Sequence, residues 1–118
     1  MKSKGIEEID DAFYQRYESL GIRLAEAERD LVIYSEGLSV IEKKLMVKAD
    51  NAFFRENNKR QAEALQRRDA KADPEYMKVV RAKAKAQESK TLYKVQLELM
   101  KMKFEGWRTR SADRRNSM

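Results

Sequence analysis

A chain of 118 residues fits one domain, and 42% hydrophobic against 39% charged residues excludes a large globular core, leaving helices packed as hairpins or between subunits. There is no cysteine, which excludes disulfides and thiolate metal sites and makes a reducing, cytoplasmic setting the expectation. A formal charge of +6 draws a chain toward polyanions, whereas no apolar run approaches the roughly 20 residues that span a bilayer and Met1-Lys2-Ser3-Lys4-Gly5 offers no apolar stretch for a signal peptide.

With four Gly and one Pro, strands joined by tight turns are disfavoured, and the chain reads as all-α. Residues 1–36 form an acidic N-terminal helical region, with five Lys/Arg against nine Asp/Glu (−4). Residues 37–118 carry 21 against 11 (+10), so the positive charge lies beyond position 36. Ile6, Ile9, Phe13, Tyr17, Leu20, Leu24, Ala27 and Leu31 recur in steps of three and four, along one helical face. Tyr34, Leu38, Ile41, Leu45, Ala49 and Ala52 extend the stripe into residues 37–72, the basic first helix of a hairpin. Gly21 and Gly37 each cost about 1 kcal/mol relative to Ala inside a helix, so a bend or break is expected at one of them.

The sharpest boundary is Ala72-Asp73-Pro74-Glu75. Asp accepts bonds from the open amides of a helix start, Pro suits the first helical position, and Glu favours the positive helix end. Residues 73–118 are then the second hairpin helix, antiparallel to the first because the connection is short. Its stripe is Val79, Ala82, Ala86, Tyr93, Leu97, Met100, Phe104 and Trp107, widened by Leu92, Val95, Leu99 and Met102 past half the circumference. Such a width fits a second neighbour, another subunit, or equally one broader hairpin core with methionine filling gaps. The expected architecture is a long antiparallel helical hairpin with an extra N-terminal helix and an Arg-rich tail, assembling as a homo-oligomer.

Candidate phosphate contacts are Arg55, Lys59, Arg60, Arg67 and Arg68 on the first arm and Lys78, Arg81 and Lys85 on the second. The last three share a helical face. A solvated face of a surface helix is the competing explanation, since charge patterning alone is common. Aromatic rings stand among cations in Phe53-Phe54-Arg55 and in Phe104 to Arg110, a pairing that holds single-stranded nucleic acid through stacking and charge. Phe104 and Trp107 also fall on the apolar stripe, which weights burial above stacking. Neither an enzyme nor a cofactor is expected, because His, Cys and a GxxxxGK loop are all missing from the sequence and with them the usual bases, nucleophiles and nucleotide cradles. No metal site is expected either: Glu7, Glu8, Asp10 and Asp11 suit the first turn of a helix, and no second carboxylate cluster completes a site.

Leu31-Val32-Ile33-Tyr34-Ser35 opens a long Lys-rich helix, a basic stretch runs from Arg55 to Lys71, and an apolar last helix leads into the Arg-rich Phe104 to Arg115. Over roughly residues 20–115 this arrangement resembles the small all-helical recombination mediators of tailed phages, of the UvsY type. The resemblance implies an accessory protein in the cytoplasm of an infected bacterium that binds single-stranded DNA and helps a recombinase displace single-strand-binding protein. It also implies a ring of roughly six or seven copies. DNA contacts would lie nearest Lys59 and Arg60, and oligomerisation in the last helix on Leu92, Leu97, Met100, Phe104 and Trp107; Asn57-Asn58 departs from the pattern by interrupting the basic stretch. The alternative is a helical scaffold or assembly chaperone whose basic surface meets an acidic protein. A membrane-surface protein is disfavoured because the cations do not segregate opposite one apolar face.

Overall fold

The computed structural model describes residues 10–117, which form three helices, α1 (Asp11–Asn57), α2 (Glu63–Ala72) and α3 (Pro74–Ser117). Ile6, Glu7, Glu8 and Ile9 lie outside the described residues. The chain divides into two compact units, one of Met1–Glu26 with Ser89–Met118 and one of Ala27–Glu88. Both α1 and α3 contribute to each.

The start of α1 is set by Asp10, whose Oδ1 accepts the Phe13 N–H at 3.0 Å, an N-cap that satisfies one open amide of the first turn. The helix then runs 47 residues, passing Gly21 and Gly37 without interruption. This corrects the expected separate N-terminal helix. A Cβ at either glycine would meet nothing within 4 Å, so neither is needed for close packing. Each glycine's propensity cost of about 1 kcal/mol is smaller than the roughly 1.5–3 kcal/mol gained by burying a Leu side chain, and the stripe carries several.

The break comes at Asn57-Asn58 instead. Asn58 adopts φ 53°, a left-handed conformation that Asn tolerates better than most residues and that closes helices. Its N–H donates to the Phe54 carbonyl at 2.8 Å, and the Asn57 side-chain amide donates to the Phe53 carbonyl at 3.0 Å. The basic stretch of 37–72 is therefore the end of α1, a turn, and the ten-residue α2, not one helix. At Ala62, the N-cap of α2, no side chain caps the helix; the Gln66 amide reaches back to the Gln61 carbonyl at 2.8 Å and steadies the turn.

Asp73 starts α3 as its sequence context predicts. Its Oδ1 accepts the Glu75 N–H at 2.9 Å, and its Oδ2 pairs with Lys48 Nζ at 3.2 Å. Lys44 pairs with Glu75 at 3.6 Å. Positions on α3 rise as their partners on α1 fall, so the two helices run antiparallel within the Ala27–Glu88 unit. The reversal occupies residues 58–73 and includes α2, which is more than the short connection expected at Ala72–Pro74. The Glu75 amide, and after it the Lys48 ammonium, hold the Asp73 carboxyl below the usual carboxylate range. A group with a depressed folded-state pKa contributes stability that is present above about pH 4 and lost as pH falls through the folded value. Asp73→Ala is accordingly expected to lower the melting temperature by a few degrees at pH 7 and to flatten the decline below about pH 4. Thermal unfolding followed by circular dichroism between pH 7 and 2.5 checks both, and a variant that melts like the parent across that range would remove Asp73 as a cap.

The core follows the predicted stripes except at Ala70, which no stripe includes. Leu45 is 2% exposed, and Ala27, Ala70 and Ala86 are buried with it in the Ala27–Glu88 unit, while Leu20 and Met100 are buried in the other. Leu24, Leu31, Tyr34, Leu38 and Ile41 are half-buried between these points, whereas Tyr17 and Ala52 are exposed despite their spacing. On α1, Ile33, Val40 and Val47 stand outside the stripe and are exposed.

Candidate nucleic-acid interface

The turn after α1 is fastened by carboxylates, and this decides which cations are available. Asp50 Oδ1 accepts the Gln61 N–H at 2.9 Å while its Oδ2 pairs with Arg60 Nη1 at 3.3 Å. The Arg60 guanidinium lies 4.6 Å from the centroid of the Phe54 ring, a cation–π geometry. Gln61 is buried, and its Nε2 donates to Asp69 Oδ2 at 2.7 Å. That bond, and after it the Arg68 side chain, hold the Asp69 carboxyl below its ordinary range. One buried glutamine thus ties the turn to α2.

The eight predicted phosphate contacts fall into two groups. Arg60 is engaged as described. Arg67 bonds Glu63 at 3.0 Å and lies 4.0 Å from Glu42; Arg68 holds Asp69 through Nε and Nη2, both at 3.1 Å. Arg55, Lys59, Lys78, Arg81 and Lys85 are exposed and have no ion-pair partner among the described residues. Exposed pairs such as those of Arg67 and Arg68 are worth about 0–1 kcal/mol. A phosphate can displace them, yet each displacement returns a carboxylate to solvent beside the bound anion.

If the antiparallel register of Lys44–Glu75 is carried along α3, Lys78, Arg81 and Lys85 fall opposite residues 41–34 of α1, roughly 20–30 Å along the axis from Arg55 at 1.5 Å per residue. On that register the five are a terminal pair, Arg55 and Lys59, and a triad on α3, Lys78, Arg81 and Lys85. The pairing of Phe54 with Arg60 was not legible in the sequence, which set Phe54 beside Arg55; five residues and a helix end separate the partners. With 40% of Phe54 exposed, ring and guanidinium present a joint flat surface.

The five residues assigned to oligomerisation divide as well. Met100 is 6% exposed, and Leu97, Phe104 and Trp107 are half-buried, with the last two rings 6.0 Å apart and inclined by 27°. They belong to the inward stripe of their own unit. Met100 in particular is almost enclosed by its own chain, which leaves it little surface for a neighbouring copy. Leu92 lies on the other side of α3, 53% exposed.

Among the described residues no group of three or more His, Cys, Asp or Glu side chains is placed to hold a metal ion. No described helix is long and apolar enough to cross a membrane. No protein-family model, curated protein or solved structure matches the chain.

Proposed function

We propose that the chain is a non-enzymatic, homo-oligomeric binder of single-stranded DNA that serves as a recombination mediator, helping a recombinase load where single-strand-binding protein is displaced. The observation that carries the reading is that five of the candidate cations, Arg55, Lys59, Lys78, Arg81 and Lys85, are exposed and have no ion-pair partner among the described residues. Surface cations that serve stability have carboxylates beside them, as Arg60, Arg67 and Arg68 do; five without such a partner among the described residues are suited to an external anion. The Phe54–Arg60 surface adds a face on which an unpaired base can stack, which a duplex cannot use. Several copies in a ring, roughly six or seven by the resemblance to phage mediators, multiply weak contacts into avidity.

A salt titration comparing single-stranded with duplex DNA of equal length tests the reading. Five phosphate contacts per protomer give log K against log salt a slope of about −3.5 on a single strand, with tighter binding to the single strand than to the duplex. Failure to bind either DNA at about 50 mM salt, together with nuclease-resistant capture of an acidic protein, would transfer the same cations to the scaffold or chaperone reading.

A further inference from the structure

Leu92, Val95, Leu99 and Met102 of α3 are between 52% and 64% exposed, an apolar line on a helix whose other side is already buried. Their steps of three, four and three are those of a coiled-coil seam, with Leu92 and Leu99 at a positions and Val95 and Met102 at d. In that register the inward stripe Tyr93, Leu97, Met100, Phe104 and Trp107 occupies b and f, on the far side of the helix. Unit by unit, α3 therefore carries two apolar faces: one covered by its own chain and one facing solvent.

The residues beside the exposed line say what covers it. Beside the line the g positions hold Thr91 and Glu98 and the e positions Gln96 and Lys103; one heptad on, where Gly106 and Thr109 take a and d, stand Glu105 at g and Arg110 at e. In a parallel, in-register pair each g residue meets the e residue of the next heptad across the seam, so Glu98 meets the partner's Lys103 and Glu105 meets the partner's Arg110. Both contacts occur twice by symmetry. Antiparallel packing with Leu92 opposite Met102 sets Glu98 against the partner's Glu98, which like charges oppose, and Gln96 against Gln96, which adds no attraction. We propose that Leu92, Val95, Leu99 and Met102 seat the same line of a second copy of this chain, parallel and in register. The same g-to-e contacts recur around any parallel cyclic bundle, so the seam also serves a closed ring of more than two copies. The proposal deepens the self-association in the functional reading and is independent of its DNA-binding part.

Sedimentation velocity without nucleic acid tests it. At about 20 µM, well above ordinary subunit affinities, the unaltered chain is expected to sediment as an oligomer. Glu98→Lys with Glu105→Lys weakens association at least about tenfold, the like charges now meeting across the seam. Adding Lys103→Glu and Arg110→Glu to the same chain restores it, since the swapped pairs attract only in the parallel arrangement. The sequence contains no cysteine, so Leu92→Cys gives a single reporter that oxidises to a disulfide-linked dimer in the parallel register; an antiparallel pair sets it opposite Met102. Leu99→Asp, at a position exposed in the protomer, keeps the helical circular dichroism while lowering the mass. A monomeric unaltered chain, a fourfold swap that stays dissociated, or an oligomer whose Leu92→Cys form does not cross-link would each overturn the proposal. None of these outcomes involves DNA, and loss of DNA binding by an intact oligomer would count against the functional reading alone.

Discussion

Replacing Arg55, Lys59, Lys78, Arg81 and Lys85 with Gln reduces the slope of log K against log salt on single-stranded DNA by up to about 3.5, at about 0.7 per phosphate neutralised. Between about 50 and 200 mM salt the fourfold change in concentration then costs the altered chain about a hundredfold less affinity than it costs the parent. All five side chains are exposed and without ion-pair partners among the described residues, so the melting temperature should stay within a degree or two. The control is Arg67 and Arg68, replaced together. Those two already neutralise Glu63 and Asp69, and their loss should change the slope by less than about 1 while lowering the melting temperature. If the control pair changed the slope as much per residue as the five, the division of the basic surface into partnered and unpartnered cations would have no bearing on binding.

Leu45→Ala should destabilise the chain by about 2–5 kcal/mol, the range for removing a buried Leu side chain and leaving part of the cavity behind. Leu45 is 2% exposed and lies on the inward stripe. Two residues on, Val47 is 60% exposed, and Val47→Ala should remain within about 0.5 kcal/mol of the parent, the small gain in helix propensity offsetting the lost methyl groups. Urea unfolding followed by circular dichroism gives both values. Similar losses at the two positions would mean that the outer face of α1 is also packed, which the unliganded protomer does not allow unless copies meet there.

Some of this was legible from the residues in order. Among the described residues the absence of strands accords with scarce Gly and Pro, and Asp73-Pro74-Glu75 marks a helix start because capping is settled within three residues of the cap. The stripe that contains Leu20, Leu45, Ala86 and Met100, all buried, is a property of spacing alone. Local rules, though, misjudge the length of α1: propensity marks Gly37 as a break, whereas Leu20, Ala27 and Leu45 are buried on the inward stripe on either side of it, and Asn58, with its left-handed backbone, ends the helix instead.

What the linear pattern determined was therefore the class of structure, the helix start at Asp73 and the face each helix turns inward, since each depends on neighbours three or four positions apart. Arg67–Glu63 and Arg68–Asp69 are neighbours in sequence, but tertiary structure added the partners that local spacing does not give. Arg60 finds Asp50 across a turn and Arg67 approaches Glu42 from 25 positions away, meetings that require the chain to fold back on itself. The same folding divided the broad apolar surface of α3, giving Met100 to the interior and leaving Leu92, Val95, Leu99 and Met102 outside. Periodicity marks a residue as apolar on a face, but only the position of the other helix determines whether that face is covered.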